Sequence, residues 1–314
     1  MIYTVTHLTV YKYSEAISDS VMELRMQPRS DGNQRCSRFT LEISPAVKTS
    51  SYRDYLGNSI HHFEIASMHK RLAIKSEALV EVKPNAFLPD ALPLNAWDVI
   101  DSVKDDREYF DFLLEGKFTQ SSALLKKFAD EIDWRRRGDP LSLLRELNSH
   151  MYQAFDYKQH VTKADSPIDV ALGARLGVCQ DFTHIMLTLV RQLGIPARYV
   201  SGYLFHQSEY LDRSDEDASH AWLEAWLPEL GWVGFDPTNN LIVNDRHIRV
   251  SIANDYADAS PSRGVFKGTA ATELGVRVQV SQLDELPAEE TSLAPEILLP
   301  HYEYVYQELE QQQQ

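Results

Sequence analysis

The chain has 314 residues, of which 43% are hydrophobic and 25% are charged, proportions ordinary for a globular protein with a sizeable core. Its formal net charge of −15 argues against a nucleic-acid backbone as a partner. The sequence lacks an apolar run long enough to cross a bilayer. The N-terminus also lacks a basic region followed by an apolar stretch, so we expect a cytoplasmic protein that binds neither nucleic acid nor membrane.

The first 83 residues have the pattern of short strands. Segments rich in β-branched and aromatic residues alternate with turns, and a turn signal at residues 54–58 separates two of them. This spacing predicts a β-rich, sandwich-like module over residues 1–83. The predicted strands cover residues 3–13, 38–43, 59–65 and 72–82.

Helical signals begin after residues 84–93, where three prolines predict a linker. Apolar residues recur at helical spacing over 121–134 and 140–155. Further along, a late strand is predicted at 276–280. We therefore assign residues 84–283 to a second domain, and we expect the Glu-, Pro- and Gln-rich residues 284–314 to form a disordered tail.

One of the two cysteines, Cys179, lies at the predicted start of an apolar helix that ends near Gly194. Unpaired N–H groups and the positive end of the helix dipole stabilise a thiolate at such a position. Taken alone, a cysteine before an apolar helix is more often a small core residue. The pattern assigns Asp181 to capping of the helix start, and it favours a packed His184 over a catalytic one.

A predicted β-hairpin follows, in which residues 220–226 form one strand and 232–236 form the other. If Trp226 faces Trp232, His220 and Asp236 become diagonal neighbours on one face, about 7 Å apart at Cβ. A slip of one residue would place them on opposite faces. Each residue alone has an ordinary interpretation, His220 as a surface histidine and Asp236 as a turn residue before proline. Together with Cys179 they supply a nucleophile, a base and an orienting carboxylate.

These residues lie in stretches that resemble the bacterial transglutaminase-like superfamily, namely "GVCQDFTHIMLTLVRQLGIPARYVSGYL" and "ASHAWLEAWLPELGWVGFDPTNN". The opening "HLTVYKYSEAISDSVMELRMQPR" and the later "YRDYLGNSIHHFEI" resemble the β-rich region that accompanies this core in many bacterial members. The resemblance implies an α+β, papain-like fold and a triad of Cys179, His220 and Asp236. It also implies peptidase, deamidase or transglutaminase chemistry on protein or peptide substrates, without a metal or another cofactor.

Substrate-binding residues are less sharply indicated. A papain-type oxyanion glutamine would precede the cysteine by six residues, where this sequence has Gly173, so the second oxyanion donor is unassigned. Gln180 and Trp222 are the candidates for substrate contacts. We expect hydrolysis to dominate over amine transfer, with a true protein-glutamine amine transferase and a non-catalytic binding module of the same fold as alternatives.

Overall fold

The computed structural model describes residues 1–207 and 212–287, which divide into two units. The first unit combines residues 1–83 and 216–218 with the described residues from 261 onward, and the second combines the described residues of 84–215 with 219–260. Most of the predicted disordered tail, residues 288–314, lies outside the described residues.

The secondary structure of the described residues is mixed. The strands are β1 (Ile2–Leu24), β2 (Gln34–Ser44), β3 (Ser50–Arg53), β4 (Ser59–Ile65), β5 (His69–Val82), β6 (Asp156–Tyr157), β7 (Leu176–Gly177), β8 (Ala197–Leu204), β9 (His220–Leu227), β10 (Gly231–Asp236), β11 (Leu241–Ile242), β12 (His247–Ala253), β13 (Ser262–Lys267) and β14 (Thr272–Leu283). The α-helices are α1 (Ala96–Ser102), α2 (Ala123–Glu131), α3 (Pro140–Ala154), α4 (Ile168–Ala174), α5 (Cys179–Gln192) and α6 (Tyr256–Ala259), and a 3-10 helix covers Phe110–Leu113.

The long strand β1 organises the first unit. Its first half pairs with β5 and β14, and its second half pairs with β4 and β13 after an irregularity between Lys12 and Ile17. One core cluster contains side chains of β1, β4 and β5, among them Leu24, Phe63 and Leu72. Two layers of strands therefore enclose this core, and the predicted sheet-rich N-terminal region is confirmed.

The last two described strands belong to the first unit rather than to the second. β14 pairs with β1 without interruption from Ile2 opposite Leu283 to Tyr13 opposite Thr272. The sequence-based limit of the second domain at residue 283 therefore differs from the unit boundary at Ser260. Strand pairing between residues some 270 positions apart leaves no local signal, which explains the difference. The division of the chain into a module of residues 1–83, a domain of residues 84–283 and a tail stays a prediction.

An antiparallel sheet with the order β11-β10-β9-β8-β12 forms the centre of the second unit. Helix α5 packs on β9 and β8, and the side chains from Asp181 to Arg191 are all buried. Ser122 and Asp139 cap helices α2 and α3, because their side chains accept hydrogen bonds from first-turn N–H groups. The predicted helices are thus present, α2 being shorter than expected, and the predicted α+β class is confirmed.

Within the described ranges 1–207 and 212–287, every helix is too short or too polar to cross a membrane.

Candidate active site

The helix that carries the candidate nucleophile begins at Cys179. Val178 before it is extended, and its backbone N–H donates to Asp181 Oδ2 over 2.9 Å. The same carboxylate oxygen accepts from Thr162 Oγ1 at 2.6 Å. A Cβ at Gly177 would lie 2.7 Å from Asp181 Oδ2, so this cap requires the glycine. The predicted capping role of Asp181 is confirmed. Burial raises the pKa of this carboxyl, although its two hydrogen bonds act in the opposite direction.

The hairpin has the register that the triad hypothesis requires. Trp226 faces Trp232, and Phe235 faces Leu223. His220 and Asp236 then meet as predicted, with His220 Nε2 at 2.8 Å from Asp236 Oδ2. Both side chains are almost fully buried, His220 being 2% exposed and Asp236 0%. A short hydrogen bond in so dry a place is stronger than the same bond in water.

Five hydrogen bonds converge on the carboxylate of Asp236. Oδ1 accepts from the backbone N–H groups of Thr238 at 3.0 Å and Asn239 at 3.3 Å. Oδ2 accepts from His220, from Asn239 Nδ2 at 2.9 Å and from His247 Nε2 at 3.3 Å. Burial disfavours the charge, but the charge of His220 and these donors outweigh it and hold the pKa of Asp236 far below its usual range. Asp236 is therefore an ionised, immobile acceptor.

Cys179 is the other neighbour of His220. Burial disfavours an imidazolium, but the carboxylate of Asp236 and the neighbouring sulfur of Cys179 together raise the pKa of His220 to about 10. Because Nε2 is bonded to Asp236, Nδ1 is the ring nitrogen left for Cys179, and it makes no complete hydrogen bond in the structure. The half-buried thiol of Cys179, the imidazole of His220 and the carboxylate of Asp236 are thus arranged in that order.

Comparison with known proteins finds two families that match segments of this chain. Residues 126–237 match the transglutaminase-like superfamily, and residues 3–81 match the bacterial transglutaminase-like N-terminal region. An uncharacterized protein of Mycobacterium leprae is 30% identical over 89% of this chain and 98% of its own length.

The chain belongs to the transglutaminase-like superfamily.

Two further similarities are partial or more distant. The protein-glutamine gamma-glutamyltransferase of Pseudomonas aeruginosa is 39% identical over 101 residues, which is 31% of this chain and 15% of that protein. A solved structure from Cytophaga hutchinsonii, named "Putative Cysteine Protease", shares the fold with a TM-score of 0.70 at 21% identity, covering 91% of this chain and 93% of that one.

Sequence reasoning missed two residues whose side chains bond the carboxylate of Asp236, namely His247 and Asn239. His247 lies on β12, and its Nδ1 accepts from the Asn244 backbone N–H at 3.3 Å while Nε2 reaches Asp236. Burial lowers the pKa of His247 despite the nearby carboxylate, so the ring is neutral. No spacing rule links this strand to the hairpin. Asn239 had a signal, because an asparagine three residues after an aspartate is typical of a turn that the aspartate closes.

The three donor atoms of His220, Asp236 and His247 lie within 4.8 Å of one another. Among the described residues, this is the group of three His, Cys, Asp or Glu side chains whose possible ligand atoms lie close enough together to hold a metal ion. A metal there would have to displace the 2.8 Å and 3.3 Å hydrogen bonds to Asp236 Oδ2. Those bonds already account for the cluster, so the donor set does not call for a metal.

The two candidate substrate contacts occupy different environments. Gln180 Nε2 donates to the backbone oxygen of Ala164 at 2.9 Å, which ties the start of α5 to the preceding loop. Trp222 is 0% exposed, with its ring centroid 6.0 Å from that of His220 and 5.2 Å from that of His247. In this arrangement Trp222 packs against the two histidines. A substrate contact by either residue stays a prediction.

Burial disfavours the charged forms of His184 and Cys36. His184 stacks on Phe118 and tilts against Tyr199, and its Nε2 accepts from the Tyr256 backbone N–H at 3.2 Å. Burial lowers the pKa of His184 to about 3, so the predicted packed histidine is confirmed. Burial likewise raises the pKa of the Cys36 thiol to about 11. Both cysteines are free of disulfide bonds.

Proposed function

We propose that this protein is a cysteine-dependent hydrolase that opens amide bonds of protein or peptide substrates through a thioester. Cys179 is the nucleophile, His220 the general base and acid, and Asp236 the residue that orients the imidazole. The observation that carries the proposal is the 2.8 Å bond between His220 Nε2 and a fully buried Asp236, which leaves Nδ1 for Cys179. We assign the reaction to the second unit, which contains all three residues.

In the first half-reaction, the thiol proton of Cys179 passes to His220 Nδ1 before the substrate is attacked, because the raised pKa of His220 favours a thiolate beside an imidazolium. The sulfur then attacks the carbonyl carbon, and the carbonyl electron pair moves to oxygen. Collapse of this tetrahedral intermediate breaks the carbon–nitrogen bond, and His220 returns the proton to the leaving amine or ammonia. The product on the enzyme is a thioester. Asp236 remains ionised and stabilises the imidazolium throughout, as its hydrogen bonds favour.

In the second half-reaction, water attacks the thioester while His220 accepts one of its protons and returns it to sulfur. The products are a carboxylic acid and the free Cys179 thiol. Water at about 55 M needs no binding site, whereas an amine acceptor needs a dedicated approach that excludes water. We therefore propose that hydrolysis is faster than amine transfer.

One observation favours a second candidate, protein-glutamine amine transfer. The matched segment of the Pseudomonas aeruginosa gamma-glutamyltransferase is 39% identical to this chain. That reaction uses the same thioester and differs only in its acceptor. Whether water or an amine attacks the thioester faster decides between hydrolysis and amine transfer.

The test incubates the full-length protein with a mixture of denatured bacterial proteins and a labelled primary amine. Mass spectrometry then scores new peptide termini, Gln-to-Glu conversions and amine incorporation. Hydrolysis predicts termini or conversions exceeding amine incorporation, all lost in Cys179→Ala and retained in the matched control Cys36→Ala. Amine incorporation exceeding free acid would establish the transferase instead. Equal products with and without Cys179 would remove the enzyme proposal and leave the non-catalytic binding module.

The cytoplasmic location and the absence of nucleic-acid and membrane partners remain predictions from sequence. Fractionation of the native producing cell, with an antibody to this chain, tests the location directly.

A further inference from the structure

The described site has a gap on the oxyanion side. A first-turn N–H group at Cys179 can face the oxygen that becomes negative. Six residues before Cys179, where a papain-type enzyme has its oxyanion glutamine, this chain has Gly173, which is exposed in α4 and has no side-chain donor. A second donor must therefore come from elsewhere, and it must be a group beside Cys179 that a substrate can reach.

A two-stranded parallel pairing brings Tyr157 to this position. β6 pairs with β7 so that Tyr157 lies opposite Gly177, two residues before the nucleophile. The backbone fixes this placement on both sides, because Asp156 N donates to Arg175 O at 3.0 Å and Lys158 N donates to Gly177 O at 2.9 Å. Both Tyr157 and Cys179 are half-buried, so each side chain keeps some surface exposed.

The hydroxyl of Tyr157 is arranged as a donor. The Asp215 backbone N–H and the Gln159 side chain both hydrogen-bond to its oxygen, which leaves the hydroxyl hydrogen unused by either bond. Burial first, and the adjacent charge of Cys179 second, raise the pKa of Tyr157, so the phenol keeps its proton at any working pH.

Two other tyrosines lie near the nucleophile but are less suited. Tyr199 is 1% exposed and packs between His184 and Tyr256. The hydroxyl of Tyr256 is bonded to Ser260, and Cys179 is the weakest of the influences on its pKa. Of the three, Tyr157 is the tyrosine whose strand pairs directly with the segment that precedes Cys179.

The segment that supports Tyr157 is the same one that supports Asp236. Asn239 Oδ1 accepts from Arg213 N at 2.7 Å and Ser214 N at 3.2 Å, while its Nδ2 donates to Asp236. Arg213 Nη1 donates to the Tyr152 backbone oxygen at 2.8 Å, which fixes this segment on the end of α3. One short stretch of chain therefore positions the orienting carboxylate and, through Asp215, the phenol.

We propose that the Tyr157 hydroxyl donates the second hydrogen bond to the oxyanion of the tetrahedral intermediate, alongside the backbone N–H of Cys179. This inference rests on the proposed function. Tyr157 is thus a catalytic residue that acts in both half-reactions, since each passes through an oxyanion at the same carbon. It neither loses nor gains a proton, and its bond strengthens as the carbonyl oxygen becomes charged.

The test uses p-nitrophenyl acetate, which acetylates a thiol and releases coloured p-nitrophenolate. In the full-length protein, Tyr157→Phe should lower the rate of Cys179 acetylation about 100-fold, the usual effect of losing one oxyanion donor, with KM changed less than about 3-fold. The matched control Tyr256→Phe should stay within about 3-fold of wild type. Alkylation of Cys179 by iodoacetamide forms no oxyanion and should be unchanged in Tyr157→Phe.

Each outcome bears on a different statement. Acetylation within about 3-fold of wild type in Tyr157→Phe, while Cys179→Ala is inert, would overturn the role of Tyr157 and leave the proposed function intact. Parallel losses of acetylation and alkylation would assign Tyr157 a structural role only, which also overturns the proposal. A wild-type protein in which mass spectrometry finds no acetyl group on Cys179 would overturn the proposed function itself.

Discussion

Two histidines of the second unit are almost equally buried, but their pKa values are shifted in opposite directions. His220 is 2% exposed and His184 is 1% exposed. Nevertheless, the pKa of His220 is raised to about 10, whereas that of His184 is lowered to about 3. Burial disfavours the imidazolium in both, and only His220 has a carboxylate, that of Asp236, within hydrogen-bond distance to overcome it. The charge partner, rather than the depth of burial, decides which histidine can exchange protons.

Helix α5 separates the two environments. At its first residue, Cys179 meets the imidazole that Asp236 holds. More than one turn further on, His184 lies among aromatic rings, and its Nε2 is occupied by the Tyr256 backbone N–H. A buried carboxylate lies within hydrogen-bond distance of His220 in the first region, whereas aromatic rings surround His184 in the second. Substitutions at His220, Asp236 and His184 test whether the difference between the two histidine environments accounts for activity.

The largest expected effect is that of removing the imidazole at the reactive end. His220→Ala should fold and lose about 10⁴-fold in kcat, because proton transfer to and from sulfur is lost. Under the same assay, His184→Phe should keep activity within about 10-fold, at a stability cost of about 1–3 kcal/mol for the Tyr256 N–H left unpaired. Near-normal turnover by a folded His220→Ala protein would remove the contrast altogether.

A smaller loss, about 10³-fold in kcat, is expected for Asp236→Asn. The amide cannot balance an imidazolium, and its NH₂ group would oppose the donors of His220, Asn239 or His247. The pKa of His220 should then fall, which shifts the pH–rate profile to lower pH. An unchanged profile with reduced kcat would show that Asp236 acts on packing and not on the charge of His220.

Selective alkylation extends the contrast to the two thiols. Iodoacetamide at pH 7 should label Cys179 at least about 100-fold faster than Cys36, because the raised pKa of Cys36 leaves very little reactive thiolate there. Peptide mapping by mass spectrometry measures both rates in one sample. His220→Ala should narrow the ratio, and His184→Phe should leave it unchanged. Faster labelling of Cys36 with activity retained would contradict the choice of nucleophile.

The smallest effects are in the pH dependence of stability, where the two histidines act with opposite sign. With its pKa raised, His220 stabilises the fold below pH 6.5, and that contribution is lost as the pH rises through about 10. With its pKa lowered, His184 stabilises the fold above pH 6.5, and that contribution is lost as the pH falls toward about 3. The slope is at most about 1.4 kcal/mol per pH unit for each group.

Imidazole resonances in NMR spectra report the two charge states directly. His220 should remain protonated at pH 8 and His184 neutral at pH 5, with His220→Ala and His184→Phe providing the assignments. If both resonances shift together near pH 6.5, the two sites share one environment and the comparison fails.

Local patterns in the sequence determined a large part of the candidate site. Helical periodicity and a glycine set the start of α5 at Cys179, and the carboxylate of Asp181 caps it as predicted. Alternation and turn chemistry set the hairpin register that brings His220 to Asp236. These features depend on residues within about twenty positions of one another, where spacing and propensity are informative.

Tertiary structure alone decided the rest. β13 and β14 join β1 across most of the chain length, and a strand edge does not specify its distant partner in its own sequence. His247 reaches Asp236 from another strand, and a two-residue pairing too short to leave a periodic signal places Tyr157 opposite Gly177. The opposite pKa shifts of His184 and His220 also came from this level. Electrostatic neighbours act through space at a few ångströms, and only the packed fold determines which groups lie that close.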